Sequence, residues 1–277
     1  MTGSPTWRQH KPAVNDPLAI GLCAGVSQRR LARQLNINQK TVARKLIFLG
    51  QQARRVHEVH LARRGPVLEA QFDDMESSVH SKMKPVSIPI AVEKNTREII
   101  ALGVAEMPAK GLLAARSRKK YGPRKDARPQ ERAAVLATLG RLAGADIIIT
   151  SDKCPQYPAL VSKIIPSARH IVVQGRRGCV VGQGELKRGG NDPLFSLNHT
   201  AAMLRANINR LVRRTWCTSK RQDRLKDHLD LYVWYHNHYL IKNPAKKNPV
   251  GPMPSIMIGS RGAGAARFEK CTLKGSS

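Results

Sequence analysis

Paired cysteines are the first thing this chain lacks. Cys23, Cys154, Cys179, Cys217 and Cys271 are scattered and odd in number, and no CxxC occurs. That argues against a disulfide framework and a structural zinc site, and such usage fits a reducing cytoplasm. Acids are also scarce, with 19 Asp and Glu against 48 Lys and Arg. The resulting net charge of +29 exceeds what solubility requires and points to a polyanion, most simply nucleic acid. On charge alone, a ribosomal or merely basic protein is the alternative. Long apolar runs are missing as well. No stretch of about eighteen apolar residues is present to span a bilayer, and no apolar signal core opens the sequence.

What is present starts with a polar stretch, residues 1–16, carrying Pro5 and Pro12 and read as a flexible leader. Residues 17–52 turn helical. Ser27 is placed to cap a helix through Gln34, with Leu31 and Leu35 inward. Asn36–Asn38 form a short break, and Gln39–Leu49 resume with Val42, Leu46 and Leu49 inward. Two short helices around such a break match a helix-turn-helix DNA-binding domain, and a helical hairpin is the plainer alternative. Gln39, Lys40, Thr41 and Arg44 face outward on the second helix, residue types that reach base edges and phosphates. Residues 53–66 read as a basic linker closing on Gly65–Pro66.

Beyond it the texture changes, and 67–242 reads as one α/β domain. Strands are expected over Val67–Val79, Pro85–Glu93, Arg97–Glu106, Asp146–Thr150 and Arg169–Gln174. Glu131–Ala143 and Tyr157–Ile165 read as helices, and Arg116–Gln130 as a basic loop, either solvated or DNA-contacting. From Leu194 to Lys226, apolar residues at Leu197, Ala201, Leu204, Ile208 and Leu211 give one side of a long helix. Near its start Asn198 and Arg205, seven residues apart, point the same way, an arrangement suited to a phosphate site. Leu225–Tyr239 follows with Tyr232, Trp234, Tyr235 and Tyr239 as packing residues, and 243–277 reads as a disordered basic tail.

Three antiparallel strands followed by helix, strand, helix, strand, helix is the order of a ribonuclease H-like mixed five-stranded sheet with flanking helices. In such a sheet the first strand is central and the fourth lies beside it. Asp73 in EAQFDDMES and Asp152 in IIITSDKCPQYP would then meet. Carboxylates that close repel unless divalent cations bind between them, and magnesium bound so serves phosphodiester chemistry. Strand alternation turns Asp74 to the opposite face from Asp73, and Glu76 shares no face with it either.

FDDMES, TSDKCPQY and LRANINRLVRRTWCTSK resemble the catalytic domain of DDE-type insertion-sequence transposases, of the insertion-sequence-one type, over residues 17 to 240. The resemblance implies a retroviral-integrase-like fold and two Mg2+ (or Mn2+) ions on Asp73, Asp152 and a third ligand aligned at Asn198. It also implies terminal inverted repeats and target DNA as double-stranded partners, and a homo-oligomer on DNA. A bacterial, cytoplasmic, nucleoid-associated setting with no membrane partner goes with it. Arg205 would touch DNA phosphate or orient the third ligand, and Arg210, Arg213 and Arg214 would grip DNA backbone rather than bases. Two features depart from the family pattern: Asn198 stands where Glu is expected, and paired N-terminal cysteines are absent. Glu185 and Asp192 are the substitute third ligands. His199 either assists near the metals or opens its helix, while packing or solvent is expected for His236 and His238. A catalytically dead DNA-binding repressor and a hydrolytic nuclease of the same fold are the competing readings.

Overall fold

The computed structural model describes residues 9–174, 192–212 and 217–241. Its N-terminal region holds three helices, α1 (Asn15–Cys23), α2 (Gln28–Gln34) and α3 (Gln39–Arg63). Ser27 Oγ accepts the Arg30 N–H at the start of α2, and Asn38 Oδ1 accepts the Lys40 N–H at 2.8 Å at the start of α3. Between them Asn36 takes a left-handed φ of 46°, a conformation Asn tolerates. A helix follows at Pro12–Val14 and α1, so the stretch read as leader is partly helical from there.

α3 is twenty-five residues long and continues through most of the stretch read as a linker. Its buried positions, Val42, Leu46, Leu49, Ala53 and Leu61, prolong the helical stripe, and no breaker comes before Gly65–Pro66. Polar partners hold the second half: Arg54 to Asp230, His57 Nε2 to the Ile100 carbonyl at 2.9 Å, His60 to Glu98, and Arg64 to Glu93 at 2.9 Å. Of the residues that suggested a connector, Arg54, His57, His60 and Arg64 are thus docking groups, while Arg55 and Arg63 are exposed.

The sheet comprises β1 (Val67–Ser78), β2 (Pro85–Glu93), β3 (Ile99–Leu102), β4 (Ala105–Glu106), β5 (Ala143–Asp152) and β6 (Arg169–Val173). The order is β3-β2-β1-β5-β6 with β4 also on β2; β1 pairs antiparallel with β2 and parallel with β5. The sheet therefore has six strands rather than five, because the stretch read as a third strand divides. Gly103 donates to the Pro89 carbonyl at 3.0 Å, but proline has no N–H to return, so the ladder lapses there.

Helices α4 (Leu113–Tyr121), α5 (Arg128–Gly140), α6 (Tyr157–Ile164), α7 (Phe195–Asn207) and α8 (Gln222–Tyr235) complete the fold. α4 corrects the expected Arg116–Gln130 loop: Ala, Arg and Lys are good helix formers, and Gly122 (φ 73°) ends the helix. The expected long helix from Leu194 is two. Ile208 leaves helical geometry, Asn207 Nδ2 bonds the Met203 carbonyl and Tyr232 Oη, and Asn209 Nδ2 bonds Gly25 O. Asparagine side chains compete with the helix ladder in this way.

Two apolar cores sandwich the sheet. One joins α1–α3, α7 and α8 to Met75, Val86, Ile88, Ile90 and Val92. The other packs Ala70, Phe72, Ala91, Ile147 and Ile149 against α5 and α6. The period-2 alternation of β1 thus sends Phe72 to one core and Met75 to the other. At Gly50, where α3 crosses α8, an added Cβ would lie 2.3 Å from the Asp227 carbonyl oxygen, so only glycine allows the approach. The helix pair and the sheet are consequently built on one continuous core.

Candidate functional site

Phe72 of β1 is in register with Ser151 of β5, which sets Asp73 and Asp152 side by side on the face that carries α7. Asp73 is mid-strand; Asp152 is the last residue of its strand. Burial and the charge of Asp152 push the Asp73 carboxyl up to about 6, against hydrogen bonds from the Asp74 N–H (2.6 Å) and the Tyr157 hydroxyl (3.1 Å), both to Oδ1. Asp152 is likewise raised, by burial first and then by the charge of Asp74, and its Oδ1 is buried with no hydrogen-bond partner. Neither carboxylate forms an ion pair among the described residues.

Asp74, one residue on, lies on the other face and is neutralised there. Arg132 of α5 donates to its Oδ2 through Nε (2.9 Å) and Nη2 (2.7 Å), and Ser87 Oγ donates to the same oxygen at 2.6 Å. The Arg132 guanidinium also stands 5.1 Å from the centre of the Tyr157 ring, which meets Phe72 edge-on. Tyr157 thus bridges the packed core and the aspartate pair.

The start of α7 is seated on β1 by Gln71, two residues before Asp73 and on the same face. Its Oε1 accepts the Leu197 N–H and its Nε2 donates to the Pro193 carbonyl, both at 2.8 Å. Asn198, the next residue of α7, is exposed and donates Nδ2 to Asp192 Oδ2 at 2.9 Å. Asp192 also accepts the Leu194 N–H and so helps to open the helix. Asn198 is therefore carried beside the strand of Asp73, but its recorded bond goes to Asp192. Among the described residues no group of three or more His, Cys, Asp and Glu side chains stands where it could hold a metal ion.

Arg205 is half-exposed on the same helix as Asn198, whereas Arg210 lies beyond the helix end, with Nη1 donating to Ser219 Oγ at 2.9 Å. Burial lowers the pKa of Arg210. Glu76 is exposed and paired with Lys110 at 2.7 Å. His199 lies 5.7 Å from Phe195 between ring centres, and His236 is buried with Nε2 against the Arg97 carbonyl. His238 is half-buried, its ring 5.0 Å from that of His60. Gln39, Lys40 and Arg44 are exposed and Thr41 half-exposed on the first turns of α3. Glu185, Arg213, Arg214 and the 243–277 tail fall outside the described residues.

Gln71, Tyr157 and Arg132 escaped sequence reading. A polar residue two places before a strand aspartate was the available signal for Gln71; nothing local marks Arg132.

No protein-family model and no curated protein matches the chain. Among solved structures it is similar to a chain of the simian T-cell lymphotropic virus intasome in complex with PP2A regulatory subunit B56 gamma. That match has 10% identity and a TM-score of 0.31, covering 94% of this chain and 78% of the other. It is also similar to the Mos1 mariner paired end complex with Mn (13% identity, TM-score 0.32, 87% of this chain and 78% of that). The Mos1 strand transfer complex gives 13% identity and a TM-score of 0.28, over 86% of this chain and 79% of that. TM-scores this low do not establish a shared fold.

Proposed function

We propose that this chain is a DNA transposase of the DDE type, with α2–α3 as a helix-turn-helix reader and a ribonuclease H-like catalytic sheet. It cleaves phosphodiesters at the ends of an insertion element and joins them to target DNA. One observation carries the reading. In a chain of net charge +29, two aspartates from neighbouring strands are held together with no cation bonded to either among the described residues, and one oxygen is buried with no partner among them. Such an arrangement costs stability unless divalent cations use it.

The residues fit that role. Oδ1 of Asp73 is occupied by Tyr157 and the Asp74 N–H, leaving Oδ2 for a cation. The orphaned Oδ1 of Asp152 supplies a second ligand, and Asn198, its Nδ2 held by Asp192, offers a neutral oxygen. Asp73, Asp152 and Asn198 would hold Mg2+ or Mn2+, two ions in the family pattern, and such ions supply activation of water or a 3′-hydroxyl and neutralisation at the leaving oxygen. Gln71 keeps the start of α7 against the aspartate strand. Gln39, Lys40, Thr41 and Arg44 read the terminal repeats, and Arg205 meets backbone phosphate. Arg210, Arg213 and Arg214 extend that contact, and at least two copies bring two ends together.

A second reading, a catalytically dead DNA-binding repressor, is favoured by one feature: the third position is an uncharged amide already bonded to Asp192. The experiment is a Mg2+- or Mn2+-dependent nicking and joining assay on duplex carrying the flanking inverted repeats. Wild type is expected to cut and join, and Asp73→Asn or Asp152→Asn to lose about a thousandfold in rate. Duplex affinity should stay unchanged in both variants. Metal-dependent cutting without joining would make the protein a nuclease. Binding without any cutting by wild type would leave the repressor.

A further inference from the structure

The helix pair is one end of a longer positive band. α4 carries Arg116, Arg118, Lys119 and Lys120, all exposed, and no acid. None of the four is ion-paired among the described residues, whereas neighbouring Lys110 and Arg124 are taken by Glu76 and Glu106. Like charges crowded on one short helix repel. The helix C-terminus and the Tyr121 ring, 5.6 Å from Lys120 Nζ, offset part of that cost, but no acid among the described residues pairs with any of the four.

Hydrogen bonds trace the way from α4 back to the helix pair. Ser117 Oγ donates to the Met83 carbonyl at 2.7 Å, tying α4 to the turn between β1 and β2. That turn adds exposed Lys82, and Lys84, whose Nζ lies 4.2 Å from the centre of the Tyr121 ring. From the same turn the His80 N–H donates to the Ser219 carbonyl at 2.7 Å, and Ser219 Oγ holds Arg210. Lys220 is exposed beside it. A cavity of about 600 Å3 then separates this connector from α2 and α3, with Arg29, Gln39, Arg210, Lys220, Arg221 and Arg224 in its lining. Asp223 and Asp227 take up Arg221 and Arg224, so Arg29, Arg210 and Lys220 carry the uncompensated charge there.

We infer that α4, the β1–β2 turn and residues 217–221 continue the α3 surface as one track for the phosphate backbone of double-stranded DNA. Nine helical residues extend about 13 Å, the reach of several phosphates on a duplex. Single strands are bound on aromatic platforms. Aromatics make up 4% of this chain, and among the described residues the aromatic beside the track, Tyr121, is already covered by Lys84. The strand that carries Asp73 runs directly into the turn at the middle of the track, so DNA lying on it is held by the element that bears one of the two aspartates. The inference rests on the DNA-reader assignment of α2–α3 only for where the track begins.

The test uses the full chain and a duplex longer than a helix-turn-helix footprint. The variant R116Q/R118Q/K119Q/K120Q should lose more than tenfold in affinity. The slope of log affinity against log salt should fall by about 3, since each lost phosphate contact removes about 0.9. The hydroxyl-radical footprint should shorten at one end. A control, R141Q/K163Q/R169Q, removes three exposed cations around α5, α6 and β6 and should change the slope by less than about 1. Equal slopes for the two variants, or a full-length footprint with the α4 variant, would overturn the track. So would loss of binding to anionic phosphatidylserine vesicles with duplex binding intact. Lys40→Gln with Arg44→Gln separates the two assignments. If that pair leaves sequence preference unchanged while the α4 variant still shortens the footprint, the reader assignment fails and the track stands.

Discussion

Asp227 and Asp230 on α8 have side chains only 8% and 7% exposed, and cations surround them: Arg54 from α3, Arg224 at 3.1 Å and Lys226. Asp73 and Asp152 are also drawn together and partly buried, yet no cation is bonded to either. The same chain supplied 48 basic residues for both places. The α8 pair is an internal fastener that ties the end of the helix pair to the sheet domain. Among the described residues no cation pairs with the sheet aspartates, so a proton or a cation from outside would relieve their repulsion. Adjacent Asp74 sharpens the contrast, since one step along β1 brings it to Arg132 and Ser87. In this molecule neutralised aspartates mark architecture, and the pair without cations is the one the proposed chemistry would use.

The contrast can be broken by exchanging the expected outcomes of substitution. Asp230→Ala leaves Arg54 and Lys226 without their carboxylate, and a loss of about 2–3 kcal/mol is expected in urea unfolding, less than for a fully buried pair because Arg54 is partly exposed. Asp73→Asn should instead match or exceed wild type in the same measurement at neutral pH. A destabilising Asp73→Asn would place that residue among the fasteners. Gly50→Ala tests the neighbouring crossing of α3 and α8. The methyl has no room against the Asp227 backbone, and about 2 kcal/mol of destabilisation is expected, read by thermal unfolding.

The smallest effect is a pH dependence. The Asp73 carboxyl is raised from 3.8 to about 6, so the folded state binds this proton more tightly than the unfolded chain does. Its contribution to stability is full below the unfolded value and is lost as pH rises through about 6. Buried His57, His228 and His236, whose pKa values are lowered chiefly by burial, act in the opposite sense as pH falls below 6.5. The readable quantity is therefore a difference. The advantage of Asp73→Asn over wild type in melting temperature should be largest near pH 7 and should shrink from about pH 6 towards pH 4, without added metal. A constant difference across that range would mean that Asp73 does not titrate against its neighbour.

Much of the architecture was legible because local patterns coincide with it. The alternation of β1 and β2, the Ser27 and Asn38 caps and the apolar stripe of α3 all follow rules that act within a few residues. Two of the departures share one cause. Basic residues in α4 and in the second half of α3 were read as solvated loop or linker, because polarity was taken as the absence of structure. Arg54 and Arg64 are partly or largely covered by acids from elements well over a hundred or some thirty residues away, and no local pattern reports that. The division of the third strand turned on the missing N–H of Pro89, a residue on the neighbouring strand. The break after Asn207 was signalled only weakly, by two asparagines close together.

By itself the sequence determined the charge, the order of strands and helices, and the residue types able to bind a cation or a phosphate. These depend on composition and on short-range periodicity, which a linear string contains in full. Only the tertiary structure decided that Asp152 is set beside Asp73, that Asp74 is spent on Arg132, and that Gln71 and Tyr157 hold the site's surroundings. Those facts come from strand register and from the packing of α5, α6 and α7. A carboxylate's protonation and partners are set by whatever lies within a few ångströms of it, and here the hydroxyl bonded to Asp73 comes from 84 positions along the chain.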